Sequence, residues 1–183
     1  KFSGVEGVKM ALPVVERQIM ASGSSGTPSG ALVRGVRAED IEKLKDISGN
    51  IRAGDLVGFA SGDGLLVGSR LASSLGLSAG DHITLISPEG DVTPMGVNPR
   101  VKSYPISGVF EIGMSEYDAS LIYMPLEESQ LYFNADGLVN SIEIYVDNPD
   151  RVDDVRPLLE QAAERQIYMT DWRQSNSSFF SAL

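Results

Sequence analysis

The stretch Ser87-Pro88-Glu89-Gly90-Asp91-Val92-Thr93-Pro94-Met95-Gly96-Val97-Asn98-Pro99-Arg100 limits the possible folds more than any other part of the chain. It separates two β-prone runs, residues 82–86 and 101–111, in which apolar residues recur with the alternation of half-buried strands. Neighbouring strands so placed pair as a hairpin, whose connection is ordinarily about two to five residues. Here the connection is far longer. Three prolines fix φ and remove backbone donors, and two glycines allow the turns. The expectation is a stiffened loop at the end of a long β-hairpin, with Val92, Met95 and Val97 at its tip. Apolar residues persist on an exposed arm where a partner covers them. Methionine suits a soft or variable groove, and burying Met95 in one contributes roughly 1.5–3 kcal/mol. The prolines block strand pairing between molecules along the arm. A second placement is open on the residues alone: the loop folds back and Met95 enters the core. Arg100 and Lys102 follow directly, a small basic pad able to steer an acidic partner.

The rest of the chain alternates short strands and helices. Residues 8–34 read as strand, loop, strand, with the Gly/Ser-rich stretch 21–30 as the turn. Residues 38–47 read as a helix with Ile41 and Leu44 inward and Glu39, Asp40, Glu42, Lys43 and Lys45 in solvent. Residues 48–55 read as a polar connection, and 65–75 as a second helix, closed by Gly76 in a left-handed cap. A strand over 119–124 precedes Pro125 and a helix over 126–133. The last unit reads as strand 141–146, helix, and returning strand 167–172. Asn148 caps that helix, and Val152, Val155, Leu159, Ala162 and Ala163 form its apolar stripe. The implied class is α+β with two mixed subdomains, one from residues 1–54 and 138–175 and one inserted at 55–137. Residues 176–183 are expected to lead toward a helix that continues the chain.

The chemistry is mostly negative. A net charge of −10 repels nucleic-acid phosphates and anionic headgroups. No cysteine is present, so disulfides and thiolate sites are excluded. No run of about 18 apolar residues spans a membrane. His82 is the single histidine, and no Gly-x-Ser-x-Gly elbow or phosphate loop occurs. The carboxylate pairs Glu39/Asp40, Glu127/Glu128 and Asp153/Asp154 read as solvated charge on helices. No catalytic, cofactor-binding or metal-ligating residue is therefore assigned, and the chain is expected to be a binding domain.

Several motifs in order carry a resemblance: Leu71-Ala72-Ser73-Ser74-Leu75-Gly76-Leu77 before Gly80-Asp81, Thr93-Pro94-Met95-Gly96 with Pro99, Gly108-Val109-Phe110, Tyr123-Met124-Pro125-Leu126, and Asp171-Trp172-Arg173. Across essentially the whole chain they resemble the periplasmic domains of the lipoprotein-releasing subunits LolC and LolE, and their relative MacB. The resemblance implies a porter-like part from both chain ends and an inserted Sabre-like part carrying a β-hairpin hook. It implies a periplasmic domain of a Gram-negative inner-membrane ABC transporter permease. Its partners would be the ATPase LolD, a second LolC/LolE-type subunit and lipoprotein substrate, with ATP hydrolysis left to LolD. The hook recruits the periplasmic chaperone LolA; it maps onto Pro88, Val92, Thr93, Pro94, Met95, Gly96, Val97 and Pro99, and the basic pad onto Arg100 and Lys102. This hook is slightly shorter than in some members, and Thr84 stands where a LolC-type pad can carry a basic residue. A hook at all argues for a LolC-like or hybrid subunit, since LolE-type subunits lack one. The isolated domain is expected to be a monomer. The competing readings are a MacB-like domain that contacts an adaptor protein, and a hydrolase, which lacks any nucleophile–base set.

Overall fold

A computed structural model describes residues 1–24, 26–93 and 96–175. In chain order the strands and helices are β1 (Val8–Ser22), β2 (Ser29–Val36), α1 (Ala38–Ile41), α2 (Lys45–Ser48), β3 (Ile51–Gly54), α3 (Val57–Ala60), β4 (Leu65–Gly68), α4 (Ser69–Ser74), β5 (His82–Thr93), β6 (Gly96–Phe110), α5 (Ser115–Ser120), β7 (Leu121–Pro125), α6 (Leu126–Tyr132), β8 (Ser141–Val146), α7 (Val152–Ala162) and α8 (Trp172–Ser175). The α+β class read from the sequence is borne out. Contacts group the chain into two compact units: Lys1–Leu12 with the chain from Glu143 onward, and Pro13–Ile142.

In the larger unit six strands form a closed cycle. β1 pairs antiparallel with β2, from Val15↔Gly35 to Ala21↔Ser29. β2 runs parallel to β7, β7 antiparallel to β4, and β4 parallel to β6. β6 pairs with β5, and β5 returns to β1 at Met20↔Ile86. Closure removes the edges that would otherwise offer unpaired backbone groups. Directly paired residues such as Ile19 and Ala31, Val33 and Ile122, and Leu85 and Ala21 share one face and enter one buried cluster. Leu71, Ala72 and Leu75 from the α4 region and Tyr132 from α6 complete it. Gly35 carries no Cβ because Ser129 of α6 occupies that space.

Four expectations fail for identifiable reasons. Residues 65–75 are not one helix: Leu65–Gly68 is a strand buried at all four positions, and only then does α4 begin. An unbroken apolar run fits a strand covered on both faces as well as a buried helix. At Gly68 a Cβ would strike the Asp118 carbonyl, and the chain turns into α4 there. Residues 38–47 divide into two short helices, and Asp40 is 1% exposed rather than solvated. Its carboxylate accepts from Arg37 at 2.7 Å and Lys43 at 2.8 Å, which makes burial tolerable. Residues 48–55 hold a short strand, β3, on the end of β6.

The fourth is in the smaller unit, where 167–172 is not a returning strand. β8 lies beside β1, and α7 buries Val155 and Leu159. Asn148 caps the chain before α7 through the Asp150 N–H at 3.0 Å, as expected. After α7 the chain is irregular up to Asp171, and Tyr168 is 92% exposed. Side-chain contacts hold this segment where no ladder does. Arg156 donates to the Met169 carbonyl at 3.2 Å and to Asp171 at 3.1 Å. Arg173 donates to both Asp153 oxygens, at 2.6 and 3.0 Å, and to Asp171 at 2.9 Å.

Arg173 holds the Asp171 and Asp153 carboxyls below their ordinary value of 3.8, chiefly by direct hydrogen bonds. A depressed carboxyl contributes its full stabilisation above the ordinary pKa, and loses it as pH falls through the folded value. The side-chain carboxyl shifts of Asp171 and Asp153, followed by NMR, should therefore stay constant from neutral pH down to about pH 4 and change only below it. Arg173→Gln should move that transition upward; a transition in the native chain already complete above pH 5 would contradict the ion-pair clamp.

Candidate functional site

The proline-rich segment is a paired arm rather than a free loop, which corrects one expectation and sharpens another. β5 and β6 pair from His82↔Pro105 to Ser87↔Arg100, and again from Asp91↔Asn98 to Thr93↔Gly96. Between these runs the register shifts, so that Pro88, Glu89 and Gly90 lie opposite Pro99 alone. Proline cannot donate to a ladder and is confined to bulges and edges. Both prolines sit in the one stretch where no pair is formed. Gly90 is required there: a Cβ would run into the Asn98 carbonyl and lie 3.0 Å from Pro99 Cα. Glu89 reaches back to Arg17 of β1 at 3.4 Å and ties the bulge to the barrel.

Beyond Ser87 and Arg100 the two strands pair only with each other among the described residues. Pro88, Glu89, Gly96, Asn98 and Pro99 are exposed. Gly96 has φ near +125°, a region open to glycine, where the chain enters β6. The backbones of Val92, Thr93 and Val97 lie in the last paired rungs. Pro94 and Met95, assigned to the tip of the hook, lie outside the described residues.

The pad residues occupy the root of the arm, on one face of β6 together with Tyr104. Arg100 donates to the carbonyls of Leu131, at 3.4 Å, and Tyr132, the C-terminal end of α6. A cation there also meets the negative end of the helix dipole. The Tyr132 hydroxyl donates back to the Arg100 carbonyl at 3.1 Å. Lys102 pairs with Glu128 Oε1 at 2.7 Å, and the Tyr104 hydroxyl donates to that same oxygen at 2.6 Å. Lys102 Nζ also lies 4.8 Å from the Tyr104 ring centre. The rings of Tyr104 and Tyr132 meet edge to face at 5.9 Å. Burial first, and then Glu128, raise the Tyr104 phenol above its ordinary range; burial raises Tyr132 to about 12. Both remain hydroxyl donors at neutral pH.

The sequence had marked Glu127/Glu128 as solvated charge. Glu128 is instead largely covered and is the acceptor on which two side chains of the arm converge. The signal was present but unread. Residues 100, 102 and 104 share a strand face, and 128 and 132 share a helix face. On the opposite face Met20, Ile86 and Val101 are cross-strand neighbours, with Met20 and Val101 exposed. His82 is exposed, and Thr84 pairs with Ser103 on β6. Among the described residues no group of three His, Cys, Asp or Glu side chains could hold a metal ion. None of their helices is long and apolar enough to cross a membrane.

Disrupting the bulge should release the arm without opening the barrel. Gly90→Val is expected to speed amide exchange across 91–98 while Ile83, Leu85 and Ile106 keep their protection. Uniform loss, or none, would count against a separately paired arm.

No protein-family model matches the chain. It is 28% identical over 180 residues to the lipoprotein-releasing system transmembrane protein LolC of Neisseria meningitidis serogroup B, covering 97% of this chain and 43% of that protein. It is 27% identical over 174 residues to LolC of Xylella fastidiosa, covering 94% of this chain and 41% of that protein. The chain thus spans less than half the length of the curated relatives it matches. Among solved structures, the extracellular domain of the noncanonic ABC-type transporter YknZ from Gram-positive bacteria superposes with a TM-score of 0.57 at 15% identity, over 88% of this chain and 80% of that one. The periplasmic region of MacB from Actinobacillus actinomycetemcomitans gives 0.57 at 9% identity, over 97% and 78%. The LolC/LolE resemblance read from the sequence is borne out by the relatives, and the fold by the structures.

Proposed function

We propose that this chain is the periplasmic domain of a LolC-type ABC transporter permease, and that it docks the lipoprotein chaperone LolA through the arm at 88–99. The observation that carries this reading is the arm itself. It is a hairpin that continues past the last rung shared with the barrel, stiffened at its bulge by two prolines. A small contact at the end of a pre-ordered arm loses little conformational entropy on binding. The LolC relatives are named for a lipoprotein-releasing system, which supports a lipoprotein chaperone as the partner. The arm favours a LolC-like or hybrid subunit over a LolE-type one.

In this reading Met95 is the anchor, flanked by Val92, Thr93, Pro94, Gly96 and Val97, with Pro88 and Pro99 at the base. Arg100 and Lys102 add positive charge on an acidic chain and attract an acidic rim. Glu128 offsets part of that charge, so steering is modest. The domain performs no chemistry; ATP hydrolysis belongs to a separate LolD subunit, beside a second LolC/LolE-type permease. The porter-like grouping of 1–54 with 138–175, around a Sabre-like 55–137, is part of the same proposal. The MacB-like fold favours one other reading, contact with an adaptor protein. That contact would use a broad face and leave the arm idle.

Calorimetry of the domain with its cognate LolA tests the proposal. The native chain should bind and Met95→Glu should not, because a charge would have to be desolvated in an apolar groove. Undiminished binding by Met95→Glu sinks the assignment. The association rate should fall between low and high salt; a salt-independent rate removes the pad from the account.

A further inference from the structure

We infer that α6 sets the direction of the arm through a polar brace, in which Tyr104, Glu128 and Tyr132 are positioning residues and Arg100 and Lys102 have a second task besides charge. The inference rests on the arm being the docking element, and names what aims it. Three observations carry it. First, alternate residues of one strand face, Arg100, Lys102 and Tyr104, all find partners on one helix. Second, the bonds run in both directions: Arg100 donates to the end of α6, and Tyr132 donates back to the Arg100 carbonyl. Two independent donors of β6 also share a single carboxylate oxygen of Glu128. Third, the brace stands where the barrel's own support runs out. β4 pairs with β6 only from Ile106 onward, and β1 pairs with β5 only up to Ile86. Residues 100–104 therefore have β5 on one edge and α6 against one face.

A two-stranded ribbon twists and bends easily without further packing. A hydrogen bond from a lysine and a phenol to one carboxylate is directional and charge-assisted, and so fixes the ribbon's angle as well as its attachment. α6 is itself seated on the barrel through Ser129 over Gly35. Beside the strands themselves and the Glu89–Arg17 contact, one path from the barrel to the arm thus runs through α6 and the brace.

The chain has no cysteine, so a label pair can be placed cleanly, with Asn98→Cys on the arm and Asp63→Cys in the exposed turn before β4. Pulsed electron spin resonance between labels at these sites reads the arm's direction with no partner present. The native chain should give one narrow distance distribution. Glu128→Leu and Tyr104→Phe should each broaden or shift it, and the double variant should do no more than Glu128→Leu, since both act through one oxygen. The melting temperature checks that the barrel stays intact. An unchanged distribution in folded Glu128→Leu overturns the brace. So does a change that appears only in step with loss of the barrel. If Glu128→Leu fails to fold, Lys102→Met takes its place, because Lys102 is 53% exposed and dispensable to the core; no change there overturns the brace equally. Tyr104→Phe keeps both positive charges, so it should slow LolA association without altering its salt dependence. Failure of LolA binding in the native chain would remove the docking reading and leave the distance result standing.

Discussion

β6 carries both halves of the molecule's design in fifteen unbroken residues, Gly96–Phe110. At its far end it is a barrel strand, with β4 parallel on one side and β3 antiparallel on the other. In the middle it is paired to β5 and faced by α6. At its start it is one side of the arm. A strand cannot change register without turning its side chains to the other face. The buried positions Tyr104, Ile106 and Phe110 therefore also fix where Arg100 and Lys102 point, and which way the arm leaves. The apolar core, not the arm, supplies the arm's register.

The root of the arm shows how charge is used on an acidic protein. Arg100 and Lys102 look like free cations in the sequence. In the fold one meets the carbonyl end of a helix and the other meets Glu128 beside the Tyr104 ring. The Glu128 carboxylate is largely covered, so water competes for it less than for a fully exposed ion pair. The cost of these contacts is a weaker external field, so a pad of this kind attracts a distant partner less strongly than free cations would.

Much of this was legible in the residues. The hairpin, the Asn148 cap, the α6 start at Pro125 and the apolar face of α7 all follow from local chemistry. The resemblance to LolC is legible too, from motifs spaced over the whole chain. The failures share one cause: non-local pairing overrides a local pattern. Leu65-Leu66-Val67 is helical or extended depending on whether strands flank it on both sides, and they do. Residues 167–172 have strand-like composition, but no strand among the described residues pairs with them, and Arg156 donates to the Met169 carbonyl and the Asp171 carboxylate instead. Pro88 and Pro99 suggested a loop, because the sequence cannot show that one bulge would absorb both. Glu128 was passed over because carboxylate pairs on helices are usually solvated; only the fold brings Lys102 and Tyr104 onto it.

The central claim is that the arm beyond the bulge is the docking element, and the barrel its support. Replacing residues 91–98 by a two-residue Asn-Gly turn removes the arm's outer rungs and keeps Pro88, Pro99, the brace and the barrel. Sedimentation of this shortened chain with LolA is the direct measurement. The account predicts an unchanged melting temperature and complete loss of the complex. A complex that persists at native affinity with the arm gone would contradict it.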